Sequence, residues 1–122
     1  MAITMDRIEE KRVVVGILGL GYVGYPLALN FAEAGVKVLG FDVDDTKINL
    51  INKGESYIRH INPERLKKVF QAGRFTATKD FSRASECDAL IICVPTPLSH
   101  HMEPDLRFIE ETCRSIAPHL SP

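Results

Sequence analysis

Three stretches of the sequence carry residues whose types and spacing suit the chemistry of holding a phosphate-bearing ligand. The first is Gly19-Leu20-Gly21-Tyr22-Val23-Gly24, with the spacing G-x-G-x-x-G. Glycines so placed allow a tight turn at Gly19, let a pyrophosphate approach the backbone at Gly21, and let a helix pack closely at Gly24. The N–H groups around Tyr22 and Val23 would then face the phosphates at the positive end of the helix dipole. Glycine clusters also occur in turns that bind nothing. Position favours the ligand here, because a strand is predicted to end at Leu18 and a helix to begin just past Gly21.

The second is Asp42, 18 residues past Gly24 at the end of a predicted second strand. A carboxylate there accepts hydrogen bonds from the adenosine ribose hydroxyls and repels a 2′-phosphate, which favours NAD over NADP. Asp44 and Asp45 lie close by, so a turn or helix-capping role for Asp42 stays open. Lys47 would sit one turn into the next helix, within reach of the same ribose; by itself it would be a solvated lysine. The third is Cys93-Val94-Pro95-Thr96-Pro97-Leu98, at the carboxyl end of an apolar strand. Open α/β sheets bind ligands there. Two prolines fix the backbone and Thr96 offers a hydroxyl, although alone this segment would read as a rigid exit loop.

Other reactive residues point nowhere. His100-His101 with Glu103 and Asp105 form a polar loop without a second cluster at ligand spacing, so no metal site is expected. Cys87, Cys93 and Cys113 are odd in number and lack a C-x-x-C pair, which reads as reduced structural thiols of a cytoplasmic protein. No nucleophile–base pair suggests itself, so no catalytic residue is assigned.

The elements that must position these residues follow from periodicity. Residues 1–12 are a polar, flexible leader without period. Val13–Leu18 is a buried strand. Val23, Leu27 and Phe31 repeat at four-residue spacing as one face of a helix ending at Gly35. Val36–Phe41 is the second strand. A helix capped by Asp44 carries Ile48 and Ile51, and Asn62-Pro63 opens another bearing Leu66, Val69 and Phe70. Phe75–Thr78 is a short edge strand, and Asp80–Glu86 makes one or two helical turns. Ala89–Val94 reads as a central strand. A last helix, capped near Asp105, sets Leu106, Ile109, Cys113 and Ile116 on one face.

Val13 to Ala32 carries no charge over 20 residues, long enough to suggest a membrane span. Its glycines, Pro26 and Asn30 suit a strand, a turn and a buried helix better. The chain is 122 residues long with a formal net charge of −1, room for one domain and no basic stripe for nucleic acid. The order β-α-β-α-α-β-β-α predicts a Rossmann-type, mostly parallel sheet with helices on both faces and strand order 3-2-1-4. The last helix has no following strand to deliver the chain to, so residues 13–122 look like the first half of a longer domain, and the Ala89 strand would present an open edge.

The strings Gly19-Leu-Gly-Tyr-Val-Gly-Tyr-Pro26, Gly40-Phe-Asp-Val-Asp44 and Cys93-Val-Pro-Thr-Pro-Leu98 resemble the UDP-glucose/GDP-mannose dehydrogenase family in order and spacing. Gly54-Glu-Ser-Tyr-Ile58 and Glu103-Pro-Asp-Leu106 are most similar to the branch acting on UDP-N-acetylhexosamines such as UDP-N-acetylglucosamine. The resemblance implies that Gly19, Gly21, Tyr22, Val23 and Gly24 hold the NAD pyrophosphate, and that Asp42 and Lys47 hold the adenosine ribose. It places Pro95 and Thr96 along the nicotinamide half. It implies a homodimeric parent that oxidises the C6 alcohol of a UDP-sugar to a carboxylate with two NAD, through a thiohemiacetal and a thioester on a cysteine of a later domain. That cysteine and its lysine would lie past Pro122, leaving this chain to bind cofactor without turnover. One departure is Tyr25, where the family carries Leu or a similar residue. The competing readings are a stand-alone regulatory module that senses NAD, and a flavin or S-adenosylmethionine module; the latter shares the glycine turn without the later Pro-Thr-Pro loop.

Overall fold

Val14–Leu18 (β1) and Lys37–Phe41 (β2) are short runs rich in β-branched and large apolar residues, and both are buried on their two faces. The computed structural model describes residues 13–58, 61–94 and 106–120. The leader at 1–12, Pro95, Thr96, the His100-His101 loop and the Asp105 cap therefore lie outside the described residues. Between and after the first two strands come α1 (Gly24–Glu33), α2 (Asp45–Asn52), α3 (Pro63–Gln71) and β3 (Phe75–Thr78). A 3-10 turn at Phe81–Glu86 leads to β4 (Ala89–Ile92), and α4 (Arg107–Ile116) runs into a 3-10 turn at Ala117–His119.

The sheet has the order β3-β2-β1-β4 with every pairing parallel, as the alternation of elements predicts. Side chains alternate between two cores. Val15, Ile17, Val38 and Phe75 pack with Tyr25 and Leu29 of α1, Ile51 of α2 and Leu66 of α3. On the opposite face Leu18, Leu39 and Phe41 meet Ala84 and Cys87 around the 3-10 turn and Ile116 of α4. Burying each of these large side chains stabilises the fold by about 1.5–3 kcal/mol. Asp44 caps α2 by accepting from Thr46 N at 2.9 Å, and Asn62 caps α3 by accepting from Glu64 N at 3.0 Å ahead of Pro63.

Three expectations are corrected. The stripe Val23, Leu27, Phe31 is not the inner face of α1. Val23 is 68% exposed and the other two are half-buried, whereas Tyr25, Ala28, Leu29 and Ala32 are buried. The helix starts at Gly24, so Val23 belongs to the turn before it. Gly24, Ala28 and Ala32, also four apart, let the backbone approach the sheet more closely than larger residues would. The Ala89 strand is shorter than read: it ends at Ile92, and among the described residues it pairs with β1 alone, at the open edge that the order 3-2-1-4 predicts. Of the face expected on α4, Leu106 and Cys113 are exposed, Ile109 is half-buried and Ile116 is buried, because the helix packs on the Phe81–Glu86 turn rather than flat on the sheet. The uncharged stretch Val13–Ala32 is β1, the glycine turn and most of α1. No helix among the described residues is long and apolar enough to cross a membrane.

The β3 edge is closed by a side chain. Asn52, at the last turn of α2, donates from Nδ2 to Ala77 O at 2.9 Å and accepts at Oδ1 from Ala77 N at 3.0 Å. Its amide thus takes the place of a neighbouring strand's peptide and blunts an edge that would otherwise invite pairing. Asn52→Ala leaves both backbone groups without partners. We expect a loss of about 2 kcal/mol, and a fall in Tm on the order of 8 °C, readable in a thermal melt by circular dichroism.

Candidate functional site

The glycine turn is built from close backbone contacts. Gly19 has φ +100 and donates its N–H to Phe41 O at 2.8 Å, so the end of β1 is locked to the end of β2. A Cβ on Gly19 would stand 2.7 Å from the Cys93 carbonyl oxygen, and one on Gly24 would stand 1.7 Å from Gly19 O. Gly21 differs: a Cβ there would meet nothing within 4 Å. Two glycines of the motif are therefore demanded by the fold, and the third faces open space.

Asp42 sits where β2 ends, and its two oxygens face different segments. Oδ2 accepts from Leu20 N at 2.8 Å and Oδ1 accepts from Asp44 N at 2.9 Å. The helix cap is Asp44, not Asp42; the bond from Asp44 N to Asp42 Oδ1 is an Asx-turn contact, so Asp42 also shapes the turn after β2. Each Asp42 oxygen keeps a second lone pair for a further donor. Lys47, one turn into α2, is half-buried with its Nζ 6.0 Å from the centre of the Tyr57 ring. Asp45 is held by Lys79 in an exposed pair at 3.0 Å.

α1 has no side-chain cap and no acidic residue in its first turn, while α2 and α3 have both. Its positive end is left for an anion. In front of that end lies a cavity of about 750 Å³, within the range of small-ligand sites. Gly19, Gly21, Tyr22, Val23, Asp42 and Lys47 all line it. Gly24 does not; it packs beneath the turn. Pro95 and Thr96 lie outside the described residues, although Cys93 and Val94 just before them reach the cavity wall.

The remaining wall was not foreseen from sequence. Phe81, whose ring lies 5.6 Å from that of Phe41, closes one side, and Glu111, Thr112 and Ser115 of α4 close another. Such long-range placement has no local signal. Tyr57, whose hydroxyl donates to Leu20 O, likewise has no local signal beyond the Gly54–Ile58 string. Burial pushes the Cys87 thiol up to about 11 and raises that of Cys93, the opposite of an activated thiol. Among the described residues no group of three or more His, Cys, Asp or Glu side chains could hold a metal ion.

The residues fit a dinucleotide on the structure's own terms. A turn with room at Gly21, an uncapped helix end and a carboxylate at the tip of the second strand converge on one cavity beyond the carboxyl ends of a parallel sheet. Fold and site define a dinucleotide-binding domain of the Rossmann class.

Comparison with known proteins narrows this further. Residues 13–122 match the UDP-glucose/GDP-mannose dehydrogenase family, NAD binding domain. The chain is 40% identical over 106 residues to the UDP-N-acetyl-D-mannosamine dehydrogenase of Pyrococcus horikoshii, covering 84% of this chain and 25% of that protein. It superposes on a GDP-mannose dehydrogenase from Pseudomonas aeruginosa with TM-score 0.83 and 39% identity, over 86% of this chain and 24% of the other. An NDP-N-acetyl-D-galactosaminuronic acid dehydrogenase from Methanosarcina mazei gives TM-score 0.80 and 34% identity, over 100% of this chain and 28% of the other. The chain belongs to the UDP-glucose/GDP-mannose dehydrogenase family and carries its NAD-binding domain. It spans about a quarter of the length of the relatives it matches.

Proposed function

We propose that this chain supplies the NAD-binding half of a cytoplasmic nucleotide-sugar 6-dehydrogenase whose substrate is a UDP-N-acetylhexosamine, UDP-N-acetylglucosamine or a close relative. The observation that carries the reading is the Asp42 carboxylate, fixed by Leu20 N and Asp44 N and facing the cavity that the glycine turn shares. Asp42 accepts from the adenosine ribose hydroxyls, with Lys47 beside it. Gly19, Gly21, Tyr22 and Val23 present backbone N–H groups to the pyrophosphate, and Gly24 keeps the turn compact. Pro95 and Thr96, next along the chain from Cys93 and Val94, lie toward the nicotinamide. NAD, when bound, supplies the acceptor for hydride removed from the sugar C6. The part of this chain is to bind and orient it; the thiol chemistry belongs to a later domain, and the parent works as a homodimer.

Two relatives named for N-acetylated sugars support the substrate class, and a GDP-mannose enzyme is the competitor. The test is to join the chain to the segment that follows it in its reading frame and record NADH formation with each sugar nucleotide. A UDP-N-acetylhexosamine should be oxidised in preference to GDP-mannose and UDP-glucose. Preference for either of those would refute the substrate assignment, and turnover by residues 1–122 alone would refute the division of labour.

A further inference from the structure

Tyr57 lies 36 residues beyond Gly21 in the sequence, in the irregular segment between α2 and α3, and has no part in the glycine motif. Its hydroxyl nevertheless donates to the carbonyl oxygen of Leu20, inside the turn. Leu20 N donates to Asp42 Oδ2 at 2.8 Å. The two peptide units on either side of Leu20 are thus each held by a side chain from elsewhere in the fold.

Peptide planarity gives the second bond its consequence. Leu20 C=O and Gly21 N–H belong to one rigid trans unit and point in opposite directions. Holding the carbonyl toward Tyr57 therefore aims the Gly21 N–H away from it. Gly21 is the one motif glycine whose Cβ direction is open, and without a Cβ it sets little steric limit of its own on rotation of that peptide. A rotated unit would turn a carbonyl oxygen where the N–H had been, a repulsive partner for an anion.

Tyr57 is itself well fixed. Its ring sits 4.9 Å from that of the wholly buried Tyr25, tilted by 55°. Ser56 Oγ accepts from Ile58 N at 3.3 Å, and Ile58 and Ile61 anchor the segment in the core. Tyr57, Lys47, Tyr22 and Gly21 together enclose a hollow of about 140 Å³ that opens beside the turn. Burial raises the Tyr57 phenol far above its ordinary value, with the Asp42 charge adding to the effect, so the hydroxyl keeps its proton and remains a donor.

We propose that Tyr57 is a positioning residue for the cofactor pyrophosphate, locking the Leu20–Gly21 peptide in the orientation that offers Gly21 N–H to phosphate. The inference rests on the reading of this cavity as the NAD site. Tyr25, the residue at which the motif departs from its family pattern, supplies the surface that seats the Tyr57 ring.

The test is Tyr57→Phe in the 122-residue chain, which removes the hydroxyl and keeps the ring. NAD binding is followed by calorimetry, adenosine binding by ligand-observed NMR, and exchange of the Leu20 and Gly21 amides by NMR. The variant should stay folded, bind NAD roughly five-fold more weakly, leave adenosine affinity unchanged, and exchange the Gly21 amide faster. Equal weakening for NAD and adenosine would mark a general structural role and overturn the proposal, as would unchanged NAD affinity. If the unaltered chain binds neither ligand, the functional reading fails on its own account. The amide exchange then decides the tether, which is overturned if Tyr57→Phe leaves Gly21 exchange unchanged.

Discussion

Gly24→Ala should abolish the folded domain or leave it barely stable, whereas Gly21→Ala should leave stability within about 0.5 kcal/mol and weaken cofactor binding. The contrast comes from where each methyl would go. At Gly24 it lands 1.7 Å from Gly19 O, in a residue whose N–H is bonded to Phe41 O and whose Cα lies close against the Cys93 carbonyl. Neither the turn nor α1 can move aside without breaking the Gly19–Phe41 hydrogen bond and the close seat of Ala28 and Ala32. We expect a loss of about 4 kcal/mol or more, against a total of about 5–15 kcal/mol for a small domain. At Gly21 the methyl enters open space on the cavity side, where the pyrophosphate is proposed to lie. Urea unfolding should therefore separate the two variants. NAD calorimetry on Gly21→Ala should show affinity down by about ten-fold or more, equivalent to about 1.4 kcal/mol. A stable Gly24→Ala protein would mean that the turn is not packed as described.

Asp42→Ala carries the second large effect, on binding rather than folding. The substitution removes an acceptor that organises two backbone N–H groups and is proposed to receive two ribose hydroxyls. Loss of hydrogen bonds to a charged acceptor is worth about 1.5–3 kcal/mol, so the NAD dissociation constant should rise by roughly 10- to 150-fold. The affinity for NADP should change far less, because the same carboxylate no longer repels a 2′-phosphate. The Leu20 and Asp44 amides lose their partner near the surface, where water replaces it, and the melting temperature should fall by only a few degrees. Parallel titrations of both dinucleotides against the variant check this. Equal weakening for NAD and NADP would show that Asp42 shapes the turn without contacting the ribose.

Much of this site was legible in the sequence because its signals are local. A glycine turn between a β-branched run and a helix, and an acid at the tip of the next strand, depend on residues a few positions apart, and the fold holds them as read. Asn62-Pro63 and Asp44 announced helix starts for the same reason, since a cap acts on its own first turn. What stayed hidden depends on residues far apart in the chain. Tyr57 reaches Leu20 across 37 positions, and Asn52 reaches Ala77 across 25. A tyrosine in a loop and an asparagine near a helix end have many ordinary roles, and nothing near them in sequence selects these. The misread face of α1 has a different origin. Val23, Leu27, Phe31 and Gly24, Ala28, Ala32 share one period, and apolar bulk favoured the first set. Close approach to a parallel sheet selected the small residues instead. Ala89–Val94 carries the composition of a central strand, yet among the described residues β1 is its only neighbour in the sheet.

We propose that this chain, by itself, holds the adenosine and pyrophosphate of NAD. Calorimetric titration of NAD and of NADP into the unaltered 122-residue chain, with its fold verified by circular dichroism, tests that claim most directly. NAD should bind at a single site, with NADP at least about ten-fold weaker. A well-folded chain that binds neither, or binds both equally, would contradict the claim.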